Sequence, residues 1–179
     1  MIKDIKKALH KIFMSEKTED NALEKSPVDY VDNNDSFSKP IPKVRTYPLI
    51  NKVKLPNGLE YHQYSKPTDI GNLHIHQIYH PDHENPLSEI ITRPETEDLT
   101  SSHRVSMAQV SPDHRGKGLG RQAYMAALIH GKGVGKLVSD NEVSEKAHKN
   151  WLTFKNTKGL GGRIGKYIKE ADRNKVSPN

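Results

Sequence analysis

VSMAQVSPDHRGKGLGRQAYMAALI, residues Val105 to Ile129, is the stretch on which the fold turns. Val105-Ser106-Met107-Ala108-Gln109-Val110 alternates apolar and polar groups with the period of a strand. Ser111-Pro112-Asp113 breaks that strand, because proline fixes its own φ and has no N–H to give to a ladder. Arg115-Gly116-Lys117-Gly118-Leu119-Gly120 follows as a basic, glycine-rich turn. From Leu119 on, Ala123, Tyr124, Ala127, Leu128 and Ile129 recur at helical spacing, so a helix begins inside the turn and is expected to stop at Gly131. Gly116, Gly118 and Gly120 have no side chain to hold a ligand off the backbone, and they admit positive φ. The free N–H groups of a helix's first turn favour an anion at that end. Arg115, Lys117 and Arg121 add cationic side chains at the same place. A di- or polyphosphate is the expected guest.

Two common phosphate sites also put glycines between a strand and a helix. The Walker loop requires Gly-Lys-Ser/Thr, a triplet this chain lacks. The dinucleotide fingerprint requires Gly-x-Gly-x-x-Gly, whereas Gly116-Lys117-Gly118-Leu119-Gly120 brings its last glycine one residue early. The run Val110-Ser111-Pro112-Asp113-His114-Arg115-Gly116-Lys117-Gly118-Leu119-Gly120 instead resembles the pyrophosphate loop of the GNAT superfamily of acetyl-CoA-dependent N-acetyltransferases. That signature is Arg/Gln-x-x-Gly-x-Gly/Ala after a strand ending in Val-x-Pro. The resemblance is carried by residues 104 to 155 and is weak elsewhere.

The resemblance implies that acetyl-CoA is bound as cosubstrate, its diphosphate on Arg115, Gly116, Lys117, Gly118, Leu119, Gly120 and Arg121. It also implies that the central strand splays from the next one and pairs with the pantetheine arm through the main chain of Ala108, Gln109 and Val110, a backbone N–H there polarising the thioester. The family's acid is often a Tyr in the pattern Asn-x-x-Ala-x-x-x-Tyr, but this chain has Ser144, Ala147 and Trp151 at those positions. An indole N–H has no useful acidity, so Trp151 is expected to pack, and protonation falls to a water, Ser144 or Tyr124. For the base, where the family commonly uses a carboxylate or an ordered water, His103, Glu97 and Asp98 precede the central strand. His103 is preferred, since it titrates nearest neutrality. Leu137 to Trp151 additionally resembles acetyltransferase-type domains encoded by bacteriophages.

Composition sets the bounds. Apolar residues make up 33% of the 179 and aromatics 6%, so some of the chain is expected to stay outside any core. The absence of cysteine excludes disulfides, thiolate catalysis and cysteine-based metal sites. No run of about 18 apolar residues is present to span a membrane, and the first residues lack the apolar centre of a signal peptide. A formal charge of +6 suits an acidic partner, a role that polyanionic coenzyme A fills without nucleic acid.

Residues 1–14 read as a basic amphipathic helix, with Ile2, Ile5, Leu9, Ile12 and Phe13 opposite Lys3, Lys6, Lys7 and Lys11. Its expected dock is its own domain or another subunit, then a protein partner, then a membrane surface. Residues 15–43, rich in acidic groups from Glu16 to Asp35, read as a flexible linker. The acetyltransferase-like domain is expected over 44–172, with a tail at 173–179. Within it, Leu49 to Tyr64 holds two short strands about Pro56-Asn57-Gly58, a hairpin turn. Strands are expected at Asn72 to Tyr79, Ser88 to Arg93, Lys136 to Ser139 and Arg163 to Ile168, and a helix at Ser144 to Phe154, N-capped by Ser144. Antiparallel strands first and strand–helix–strand–helix afterwards give an α+β fold, an α/β sandwich on a mixed sheet. The resemblance implies the same architecture, mostly antiparallel, with a splayed central pair and helices on both faces.

His74, His76, His80 and His83 invite a metal, but Asp82 and Glu84 alone are acidic neighbours and the family needs none; substrate-pocket or surface histidines are expected. Lys155, Lys158, Arg163, Lys166, Lys169, Arg173 and Lys175 have only Tyr167 interleaved, so a solvated face is favoured over a nucleic-acid surface. The expected function is acetyl transfer from acetyl-CoA to a primary amine, on a small molecule or a protein. The alternative is a catalytically silent binding or structural module of the same fold, such as a virion or assembly component. A cytoplasmic compartment is expected, or the virion for a phage-encoded chain, with a homo-oligomer allowed.

Overall fold

The computed structural model describes residues 40–44, 46–95, 102–139, 145–157 and 161–164. The expected first helix, most of the linker and the tail lie outside the described residues. In chain order the elements are β1 (Leu49–Lys54), β2 (Glu60–Thr68), β3 (Gly71–Tyr79), β4 (Ser88–Pro94), β5 (Ser102–Val110), α1 (Leu119–His130), β6 (Lys136–Val138) and α2 (Glu145–Asn156). The strands form one six-stranded sheet in sequence order. Each neighbouring pair is antiparallel up to β4–β5, and β5–β6 is parallel. This is an α+β architecture on a mixed, mostly antiparallel sheet.

Local chemistry explains the hairpin. Gly58 sits at φ 85°, and its N–H donates to the Leu55 carbonyl at 3.0 Å while Leu55 N–H donates to Leu59 at 2.8 Å. Only glycine takes that φ without steric cost, so Pro56-Asn57-Gly58 reverses the chain where the sequence places it.

Beyond the hairpin, alternation sorts side chains to two faces. Tyr61, Ile78, Ile90 and Val105 point to one face and join Ala123, Ala126, Leu128, Trp151 and Phe154 in a single core cluster. Eight of the twelve residues of α1 are buried. It packs on β3, β4 and β5, and its Tyr124 ring meets Trp151 of α2 edge-on at 5.3 Å between centroids. Both described helices therefore feed one core, and the second helix-covered face expected from the resemblance is not seen among the described residues. There the opposite face meets Ile41 and Pro42, with Gln77 Nε2 donating to the Pro42 carbonyl at 3.2 Å.

The structure amends two local expectations and bears out a third. Ile91 pairs with Met107 but Thr92 with Val105, so Ser106 is an extra residue, a β-bulge. The bulge puts Val105 on the helix face and Met107 and Gln109 on the other, so the simple two-residue period does not run through the strand. Gly131 ends α1 as expected, at φ −59°, where a Cβ would stand 2.4 Å from the Ala127 carbonyl oxygen. Of the expected strand Arg163 to Ile168, the described part is a 3-10 turn at Gly161–Arg163 and a single bridge from Ile164 to Leu137.

Candidate functional site

At the end of β5 the chain leaves the sheet under tight control. Ser111 Oγ donates to the Pro86 carbonyl and Ser111 N–H to Leu87, both at 2.9 Å. Pro112–His114 forms one 3-10 turn, closed by Arg115 N–H on the Pro112 carbonyl at 3.3 Å. Gly116 and Gly118 then stand at φ 75° and 70°, a region in which other residues carry strain of about 1–3 kcal/mol. Gly118 is the N-cap of α1 and offers no side chain to its amides, and the first turn holds no acidic residue. A Cβ on Gly120 would stand 3.3 Å from Val110 Cγ2, so this glycine lets α1 settle against the end of β5.

Lys117 Nζ lies 3.0 Å from the Asp113 carbonyl and Arg115 Nε 3.4 Å from the Val110 carbonyl, which holds both cations beside the helix entrance. Arg121 Nε is buried without a hydrogen-bond partner. A buried guanidinium nitrogen left so is costly. The residue set fits a diphosphate.

The edge of β5 is the second component. Its pairing with β6 covers Ser102, His103 and Arg104 only, opposite Lys136, Leu137 and Val138. Val105 to Val110 have no β6 partner, although β4 stays paired to all of them but the bulged Ser106. Among the described residues an unpaired strand edge thus runs up to the glycine loop, with Ala108 exposed and Gln109 half-buried. Open strand edges of this kind accept an extended partner by adding hydrogen bonds. The bulge at Ser106 sits where the open segment starts.

Of the predicted catalytic residues His103 and Ser144, only His103 is among the described residues. Ser144, Glu97 and Asp98 lie outside the described residues. His103 is buried in the closed part of β5, seven residues or about 23 Å from Val110. Its ring lies 5.0 Å from that of His74, which in turn is 6.1 Å from His76. His76 Nδ1 shares a 2.7 Å hydrogen bond with Tyr61 Oη and Nε2 a 3.1 Å one with Thr92 Oγ1. Burial pushes His74 down to about 4 and His76 well below its ordinary value, with neighbouring histidine charge adding to the effect. Both stay neutral at pH 7.

The four clustered histidines of the sequence divide accordingly. His74 and His76 belong to this buried group, while His80 and His83 line up at the loop end with His114, rings 5.2 and 5.4 Å apart. No group of three or more His, Asp or Glu among the described residues has metal-holding geometry. Trp151 is 2% exposed in the core with Tyr124, so neither is a solvent-facing acid. Of the basic set, Lys155 is exposed and Arg163 donates to the Val134 carbonyl at 3.3 Å; the remainder lie outside the described residues. No described helix is long and apolar enough to cross a membrane.

One functional candidate escaped the sequence reading. Glu89 of β4 is buried at 5% exposure on the face away from α1. It takes a hydrogen bond from Gln77 Nε2 and one of 2.9 Å from Gln109 Nε2. Burial raises its pKa, and the two amide donors pull it partly back. The register sets Gln77, Glu89 and Gln109 directly opposite one another on β3, β4 and β5. A lone Glu in a short, weakly patterned run has no such signal in sequence; the rung exists only once three strands are aligned. Neither the protein-family models nor the curated proteins contain a match to this chain.

Proposed function

We propose that this protein is an acetyl-CoA-dependent N-acetyltransferase of the GNAT type, acting on a primary amine. The observation that carries the reading is the loss of β6 pairing after Arg104, in line with a cationic, uncapped helix entrance at Gly118. The loop amides with Arg115, Lys117 and Arg121 would hold the diphosphate. The open main chain of Ala108, Gln109 and Val110 would take the pantetheine arm as an added strand and set the thioester carbonyl against a backbone N–H. The coenzyme supplies the activated acetyl group; the protein's part is to fix its position and stabilise developing negative charge.

Titration calorimetry with acetyl-CoA and CoA, followed by thiol release with a panel of amines, tests this. Saturable 1:1 binding of both, at about micromolar affinity, with amine-dependent thiol release is expected; no binding sinks the proposal. A second reading, a silent module that keeps coenzyme affinity without turnover, is favoured by Trp151, which fills with a core indole the position where the family often has its acid. Binding without thiol release on every amine would select it.

A further inference from the structure

We infer that residues 1–14 dock on their own domain, setting the apolar stripe of Ile2, Ile5, Leu9, Ile12 and Phe13 on the row Tyr64–Ile75–Ile91–Met107 across the sheet face opposite α1. This holds or fails without the acetyltransferase reading.

Strand register builds the seat. Tyr64 stands opposite Ile75, Ile75 opposite Ile91 and Ile91 opposite Met107, so β2, β3, β4 and β5 give one apolar side chain each to a single row. Adjacent strands are about 4.8 Å apart, which makes the row about 14 Å long. The neighbouring rung, His62–Gln77–Glu89–Gln109, is polar and meets its own needs, since Glu89 takes hydrogen bonds from both Gln77 and Gln109. The apolar row has no such internal answer and gains only by being covered.

Burial marks a second, smaller core on this face. Ile41, Tyr64, Ile75 and Tyr79 are no more than 7% exposed, yet none belongs to the core cluster that α1 and α2 fill. Further along the row, Ile91 and Met107 are only half-buried. The β2–β3 side is therefore closed and the β4–β5 side less so.

The chain itself leads to that side. Lys43 is near enough to His62 of β2 for its charge to act on the ring, and the Pro42 carbonyl accepts from Gln77 Nε2 of β3 at 3.2 Å. Followed backwards, the chain thus crosses from β2 to β3 and heads for β4 and β5, with Ile41 buried and biased to an extended backbone by the proline after it. Residues 15–39 are 25 residues and can span at most about 85 Å, several times the row. A connection of that length holds residues 1–14 over the face at about millimolar effective concentration, which favours this segment over a second copy of the chain. From Ile2 to Phe13 the stripe runs about 16 Å at the helical rise, a match to the row. Lys3, Lys6, Lys7 and Lys11, on the other side, stay in water when the stripe is docked.

The chain has no cysteine, so introduced pairs report proximity cleanly. Ala8 and Lys6 flank the stripe on its two sides; Arg93 is exposed two residues beyond Ile91 on the same strand, and Lys155 is exposed on α2. Full-length chains carrying Ala8→Cys or Lys6→Cys, each combined with Arg93→Cys or with Lys155→Cys, are treated with a short bis-maleimide at micromolar protein and read by denaturing gel and mass spectrometry. Expected is a cross-link within one chain from at least one flank to position 93, about tenfold or more faster than to position 155. Equal rates to the two positions, or no link to position 93 from either flank, overturn the inference. Links formed chiefly between chains overturn it in favour of a second copy.

Thermal unfolding of the full-length chain supplies the second readout. Leu9→Glu, in the stripe, should lower the melting temperature by about 3 °C or more, and Lys7→Glu, opposite it, should leave it within about 1 °C. A Leu9→Glu chain that melts with the parent, or a Lys7→Glu chain that falls as far as Leu9→Glu, overturns the inference. Should Leu9→Glu not fold, the cross-link decides alone.

Discussion

The inner rungs of the sheet and the open edge of β5 make different use of polar groups. On the inner rungs most are answered: His76 has a partner on each ring nitrogen and Gln63 clasps Lys132 through both its amide atoms at 2.8 Å, although His74 Nδ1 has none. At the Val110 end several stay unanswered among the described residues: the helix has no side-chain cap, Arg121 Nε has no partner, and the strand edge has lost β6. A closed polar network holds a structure together, whereas polar groups left open are costly unless something binds them. The difference teaches where on this strand to look for a ligand.

Mutations can break that contrast. The largest effect is expected from His76→Ala, which strips Tyr61 and Thr92 of a shared partner inside the core. It should cost about 2–4 kcal/mol in urea unfolding and leave the acetyl-CoA Kd of the folded fraction unchanged. A large change in that affinity would mean that the two regions are not separate.

Acid should act on the inner rungs as well. The fold holds His74 and His76 neutral, with pKa values below the ordinary 6.5, so the unfolded chain binds protons that the native state excludes. Their contribution to stability is present above pH 6.5 and is lost as pH falls from there towards 4. The melting temperature should be level between about pH 7 and 8 and drop steadily below about 6.5, and His76→Ala should flatten that drop.

Smaller structural effects with larger binding effects belong to the open end. Gly118→Val puts a β-branched residue at φ 70° and should cost about 1–3 kcal/mol. Gly118→Asn, which tolerates that conformation, should cost less. Both should weaken acetyl-CoA at least about tenfold, roughly 1.4 kcal/mol, by blocking the approach to the amides. Gly118→Asn binding as tightly as the parent would refute the loop as the anchor. The smallest change is Lys117→Ala: stability within about 0.5 kcal/mol, but weaker coenzyme binding with a shallower dependence on salt, measured from about 0.05 to 0.3 M.

Much of the open end was legible in the sequence because its form depends on backbone sterics. Gly116, Gly118 and Leu119 predict a left-handed turn and a helix start by steric rules that act within a few residues, and the helix begins at Leu119 as expected. The same local logic located the hairpin at Gly58. The partners of side chains were another matter. His103 joins His74 across β4, and Glu89 meets Gln77 and Gln109 from two other strands, contacts fixed by register and by the Ser106 bulge. A single inserted residue reverses which face a strand presents, and no count along the sequence shows where the neighbouring strand will place it.

The sequence by itself therefore determined the strand, the glycine turn, the helix start and the positive charge gathered there, since short-range sterics and local composition are enough for each. Tertiary structure alone decided that β6 would leave β5 after Arg104, that His103 would be closed in, and that Glu89 would stand beside the open edge. Those outcomes depend on which strands lie side by side, and that is settled by burying the core as a whole.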